Sequence, residues 1–191
     1  MCGRFSVIDD PLAKQVSDML GIQFSTKTNT DLRPTQDVAT ISLLENCIQQ
    51  QNTIWGIKPS WSKKLLINAQ AETVVTKKTF KKAFTERRCV VPCSGWYEWK
   101  DEGGPRKQKY LFEHAYGEPL YMAGIWYPHE HNELVTLTIN PNEKCAAIHS
   151  RMPLFIQTQE IERWLQAEVD GVMPLLVPVD EGMIKIVAVN T

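Results

Sequence analysis

No apolar run in this chain approaches the roughly 20 residues that a membrane-crossing helix needs, so no membrane partner is expected. The first residues lack the basic stretch followed by an apolar one that marks a secretory signal. Cysteines number only five and show no tight paired spacing. That argues against a disulfide framework and for reduced thiols in a cytoplasmic compartment. Cys89 and Cys93 stand four apart and Cys145 is remote. Zinc needs four ligands, or three with a water, and no such compact set exists, so no metal and no cofactor are expected. Internal repeats, linkers and low-complexity stretches are missing as well. What remains is one compact domain, residues 1–191, with 43% hydrophobic and 23% charged residues, enough to fold around a core.

A strong net charge is also lacking: the sum is -1, which alone argues against a nucleic-acid partner. Its distribution argues otherwise. Between Lys58 and Arg88 stand Lys58, Lys63, Lys64, Lys77, Lys78, Lys81, Lys82, Arg87 and Arg88 against Glu72 and Glu86, a local charge of plus seven. One segment can thus present a positive field while the whole stays near neutral. A merely solvated lysine-rich face is the competing reading.

The pattern of apolar residues predicts an α+β fold, mainly antiparallel β (two packed sheets or an open barrel) with peripheral helices. Asp10-Pro11 reads as a helix cap followed by the first helical residue, with Leu12, Val16, Met19 and Leu20 on one face and Gly21 as the stop. Residues 22 to 37 read as loop. Val38 to Leu44 and Ile48 to Trp55 read as a strand pair joined by Glu45-Asn46. Leu65 to Thr73 passes from apolar to closely spaced polar residues, the mark of a site at a strand end. Thr76 is placed to cap a short basic helix with Phe80, Ala83 and Phe84 inward. Further strands are predicted from Cys89 to Pro92, Ser94 to Lys100, Lys109 to Glu113, Leu120 to Trp126, Glu133 to Ile139 and Met183 to Val189, with a helix from Thr158 to Glu168.

The chain opens Met1-Cys2-Gly3-Arg4. Removal of Met1 would leave Cys2 with an α-amine and a thiol on adjacent carbons. An amine titrating near ~8 and a thiol near ~8.5 are both partly reactive at neutral pH. Such a 1,2-aminothiol condenses with an aldehyde, first as a Schiff base and then as a five-membered thiazolidine, and can act as its own N-terminal nucleophile. A small residue after the start, with no role, is the bland alternative. Three further residues have suitable chemistry. Glu98 lies in Gly95-Trp96-Tyr97-Glu98-Trp99, where aromatic neighbours desolvate a carboxylate and lift its pKa toward proton exchange near neutrality. Strand alternation puts Trp96 and Glu98 on one face and Tyr97 and Trp99 on the other. His149, in a loop beside Arg151, is an acid–base candidate, and Asn68 can both donate and accept without charge. Each also has an ordinary structural reading.

Cys2-Gly3-Arg4-Phe5, Trp55-Gly56 with Pro59, Asn68-Ala69 with Glu72-Thr73, Gly95-Trp96-Tyr97-Glu98-Trp99 and His149-Ser150-Arg151-Met152-Pro153 occur in this order. Together they resemble the SRAP family, the SOS-response-associated peptidases. The resemblance implies binding of single-stranded DNA and single-strand/duplex junctions that contain abasic sites. It implies covalent capture of the abasic-site aldehyde by Cys2, with Met1 removed autocatalytically, which is the sense of the peptidase label. Asn68 would orient the reacting groups, Glu98 exchange protons, and His149 assist ring closure or opening. DNA contacts would fall to Arg4, Trp55, Trp61, Lys63, Lys64, Gln70, Lys77, Lys78, Trp99, Thr138 and Arg151. The protein would act as a monomer in the cytoplasm, associated with the nucleoid when bound to DNA. Two positions depart from the family pattern: Gln70 stands where many members have Arg, and Asp31 where many have Asn. An acid at 31 would repel phosphate unless it turns inward. The rival readings are a glutamine amidotransferase with an N-terminal Cys, a cysteine peptidase acting in trans, and a non-covalent single-strand binder.

Overall fold

A computed structural model describes residues 2–189. In chain order its elements are β1 (Phe5–Val7), α1 (Asp9–Leu20), β2 (Asn29–Leu32), β3 (Asp37–Leu44), β4 (Cys47–Trp55), β5 (Asn68–Gln70), α2 (Lys78–Glu86), β6 (Arg88–Cys93), β7 (Gly95–Lys100), β8 (Gln108–His114), β9 (Leu120–Tyr127) and β10 (Glu133–Ile139). They continue with α3 (Glu143–Ala146), β11 (Met152–Pro153), α4 (Ile161–Gln166), α5 (Val169–Val172) and β12 (Ile184–Val189).

Among the described residues the strands form two sheets. One runs β12-β8-β7-β1-β2 and is antiparallel throughout. The other runs β11-β10-β4-β3-β6-β9, and because β9 also pairs with β10, five of its strands close into a ring. Closure is completed by a short parallel pairing of β10 with β4, and β5 adds a second parallel partner to β10. This is the expected mainly antiparallel α+β fold, with the helices outside. The aromatic residues join the sheets: Phe5 of β1 packs 5.0 Å from Trp55 of β4, and Trp96 of β7 packs 5.0 Å from Phe155.

Local sequence explains most elements. Glu45 and Asn46 both take positive φ, 51° and 63°, the geometry of a tight hairpin that turns with the strand twist. Helix α1 carries an extended Asp10 near its start, so its regular turns begin at Pro11, and Gly21 at φ 64° closes it. Every residue of β6 is buried, as befits a strand between β3 and β9. Three expectations fail. Residues 29 to 32 are not loop but β2, an edge strand recruited by pairing with β1 rather than by local hydrophobicity. Thr76 does not cap α2: its hydroxyl donates to the Thr73 carbonyl, and Lys77 occupies the cap position. The predicted helix from Thr158 is split between a 3-10 turn and α4.

Candidate active site

Strand β1 decides where Cys2 lies. Phe5 pairs with Trp96 on one side and Leu32 on the other, so the residues just ahead of it are held at the junction of the two sheets. Cys2 is 1% exposed. Asn68, on β5 of the other sheet, donates from its side-chain amide to the Cys2 carbonyl at 2.8 Å. The amide orientation is set from behind: Asn68 Oδ1 accepts from the Thr136 hydroxyl at 2.6 Å, and Thr136 is its register partner on β10. With its oxygen engaged there, the amide nitrogen faces Cys2.

Glu98 is 3% exposed on β7, on the inner side as strand alternation requires. Burial pushes its carboxyl up to about 7. His149 Nε2 lies 3.7 Å from Glu98 Oε2, and burial pulls the imidazole below its usual value. Burial thus works against charge on both partners, the carboxylate and the imidazolium, so the contact is weaker than a full ion pair. The ring is oriented by the backbone: His149 Nδ1 lies 3.0 Å from both the Arg151 amide nitrogen and the Arg151 carbonyl oxygen, which turns Nε2 toward Glu98.

The sequence analysis expected a Cys2 thiol partly ionised at neutral pH, and the structure corrects that. Burial, then the neighbouring Glu98 and Cys93, push the thiol well above its ordinary value, against a weak contact from Sγ to the Arg4 carbonyl at 3.7 Å. The thiol of this chain, which carries Met1, is protonated and needs a base. Glu98 is the carboxylate whose charge acts on it. Among the described residues no group of three or more His, Cys, Asp or Glu is placed to hold a metal ion.

Cys2, Asn68, Glu98 and His149, far apart in sequence, are thus brought to one place. The residues assigned to DNA contact divide. Trp61 is 68% exposed, and Lys63, Lys64, Gln70, Lys77 and Lys78 are all exposed, so they are available to a strand. Arg4 is half-buried with its guanidinium 5.2 Å from the Trp99 ring centroid. Trp55 is a correction: it is fully buried, packs on Phe5 and donates its indole N–H to the Ile67 carbonyl, so no face is left for a base. Thr138 is another, buried beneath β5 with its hydroxyl toward the Ala69 carbonyl. Arg151 is occupied inside the protein, forked onto both Glu72 oxygens at 2.8 Å and bound to Asn140 Oδ1 and the Thr138 carbonyl. Arg88 leaves the positive segment too. It is buried beneath the Phe84 and Trp164 rings, donating to the Trp164, Phe84 and Ala167 carbonyls at the ends of α2 and α4.

Sequence reasoning missed Thr136 and the Glu72–Arg151 fork, the supports of Asn68 and His149. Both link residues 68 or more positions apart, and neither leaves a local signature.

Known proteins resemble this chain along most of its length. Residues 1–191 match the SOS response associated peptidase (SRAP) family along their whole length. The chain is 30% identical over 183 residues to the abasic site processing protein YedK of Escherichia coli (strain K12), an alignment covering 90% of this chain and 82% of that protein. It is 29% identical over 197 residues to the abasic site processing protein YoqW of Bacillus subtilis (strain 168), covering 94% and 88%. The crystal structure of a protein from Bordetella bronchiseptica shares the fold, with a TM-score of 0.85 at 22% identity over 100% of both chains. Matched end to end and with its N-terminal cysteine seated beside Asn68 and Glu98, the chain belongs to the SRAP family.

Proposed function

We propose that this protein processes abasic sites in single-stranded DNA and at single-strand/duplex junctions by covalent capture through Cys2, after its own site has removed Met1. The names of the relatives YedK and YoqW support the abasic-site partner. The observation that carries the chemistry is the seating of Cys2. Its backbone is gripped by Asn68, and a carboxyl titrating near neutrality stands beside its thiol.

The ring-opened abasic sugar presents an aldehyde. The Cys2 α-amine adds to the carbonyl carbon, and the resulting carbinolamine hydroxyl leaves as water when Glu98 supplies a proton. The Cys2 thiol then adds to the iminium carbon and gives its proton to the Glu98 carboxylate, while the C=N electron pair returns to nitrogen and neutralises it. One water is lost overall and a thiazolidine ring is formed. Because the thiol is held protonated by burial, a group that titrates near 7 suits both steps: it gives a proton in the first and takes one in the second. His149, whose Nε2 faces Glu98, serves the sugar oxygen as donor when the ring opens. Removal of Met1 is hydrolysis at the same cysteine, and the same carboxyl and imidazole are at hand for it. A missing base makes the lesion cheap to admit, since little stacking is given up.

The test is a single-stranded oligonucleotide bearing one abasic site, run on a denaturing gel after heating. The wild-type protein is expected to give a heat-stable adduct and Cys2→Ala none. Equal adduct from both would remove Cys2 from its role.

A further inference from the structure

A group of cations separate from the lysine segment gathers around Arg4, two residues from Cys2. The Arg4 guanidinium lies over Trp99 on β7. The cross-strand partner of Trp99 on β8 is Lys109, whose Nζ sits 3.9 Å from the Tyr97 ring centroid and 5.8 Å from that of Trp99. Arg33 follows β2 directly. Asp31, on β2, stands among them. One carboxylate oxygen accepts from Arg4 at 3.2 Å, and the other accepts from Arg33 Nε at 2.9 Å and from a terminal Arg33 nitrogen. Asp31 does not turn inward to bond backbone; its carboxylate bonds two side-chain guanidiniums. Three cations therefore act on a single carboxylate, and one of them, Arg4, stands two residues along the chain from the reactive cysteine.

A carboxylate and a phosphodiester offer guanidinium groups the same thing, two oxygens sharing one negative charge, and a forked donor accepts either. The pairs are open to solvent, with side-chain exposures of 34% for Arg4, 36% for Asp31 and 54% for Arg33. Ion pairs so exposed contribute little, so an incoming anion displaces them at small cost. Local charge over residues 29–33 is balanced, and for that reason the sequence flags nothing there.

The geometry points to a second nucleic-acid subsite, in which Arg4, Arg33 and Lys109 hold a backbone phosphate next to the lesion and Asp31 is a built-in anion that this phosphate displaces. The subsite rests on the proposed function, because its ligand is the strand that function acts on. Asp31 sets its strength: it holds the arginines in place when DNA is absent and lowers affinity for undamaged strands, which the protein has to release in order to search.

The experiment measures binding of a fluorescent undamaged single-stranded oligonucleotide across a salt series, with adduct formation on the abasic oligonucleotide alongside. Asp31→Asn keeps the side-chain shape. It is expected to tighten binding about 3- to 10-fold and to steepen the log–log salt slope by about one. Adding Arg33→Ala and Lys109→Ala is expected to abolish that gain. Asp18→Asn, which removes an exposed carboxylate paired with Lys14 on α1, controls for net charge and is expected to leave affinity near wild type. Unchanged or weaker binding by Asp31→Asn would overturn the subsite. So would a gain that survives the loss of Arg33 and Lys109, or one that Asp18→Asn reproduces. Failure of the wild-type protein to form any adduct would instead sink the proposed function, independently of these outcomes.

Discussion

Glu98 meets its charge reluctantly because so little water reaches it, and that gives it two measurable signatures. The first is kinetic. Glu98→Gln keeps the shape and removes the proton, so adduct formation is expected to slow by roughly 10²- to 10⁴-fold with strand binding nearly unchanged. Single-turnover rates equal to wild type would exclude proton transfer at this position. The second is thermodynamic. A carboxyl raised in the folded protein to about 7 favours folding while it is protonated. That contribution is complete below the unfolded value near ~4.3 and is lost as pH rises through about 7. His149 runs the other way, its lowered value contributing stability above the usual imidazole range and losing it as pH falls. Glu98→Gln removes only the first slope. Relative to wild type the variant is expected to gain stability between pH 5 and pH 8, read from urea midpoints. A difference that does not vary with pH would contradict the raised carboxyl. The candidate residues at this scale were legible in the sequence because their neighbours are local: the aromatics flank Glu98 in the chain itself. The state of the Cys2 thiol was not legible. It depends on burial and on Cys93 and Glu98, contributed by other strands.

At the scale of elements, β7 is the strand on which the site depends. It pairs with β1 on one side and β8 on the other, and it carries Trp96 and Glu98 inward. Its first residue, Gly95, has no room for a side chain: a Cβ there would stand 2.4 Å from the Phe112 carbonyl oxygen on β8. Since backbone cannot move aside cheaply, Gly95→Ala is expected to cost about 3 kcal/mol, the upper end of ordinary overpacking. Gly103→Ala, in the open hairpin at φ +80°, is expected to cost only about 1 kcal/mol, from backbone strain alone. Chemical denaturation of the two variants orders them; a Gly95→Ala protein as stable as Gly103→Ala would mean the β7–β8 spacing is not as tight as described. Alternation and turn residues announced β3, β4 and β7 to β10 in the sequence. Strand β2 stayed hidden because its partner, not its own composition, makes it a strand. Trp55 was misjudged for a related reason. A tryptophan next to a Gly-Pro loop looks like an exposed platform until Phe5, fifty positions earlier, is seen to cover it.

For the whole molecule, charge placement matters more than its sum. Lys58, Lys63, Lys64, Lys77, Lys78, Lys81 and Lys82 are exposed, while Arg88 is consumed in joining α2 to α4. Binding to single-stranded DNA is expected to weaken steeply with salt, with a log–log slope set by the number of phosphates these lysines neutralise. A flat titration would remove the segment from the DNA path. Here the sequence was informative about quantity and uninformative about which cations are free, because the pairing of Arg4 with Asp31 and of Arg151 with Glu72 appears only once strands distant in sequence are assembled.

The central claim is covalent: the amine and sulfur of one residue close a ring on the lesion. It is tested most directly by forming the adduct on an abasic oligonucleotide, digesting away the DNA and protein, and fragmenting the N-terminal peptide in a mass spectrometer. The account predicts a peptide that begins at Cys2, lacks Met1, and bears on Cys2 the sugar remnant less one water. A remnant on a lysine, or on a peptide that still begins with Met1, would contradict it.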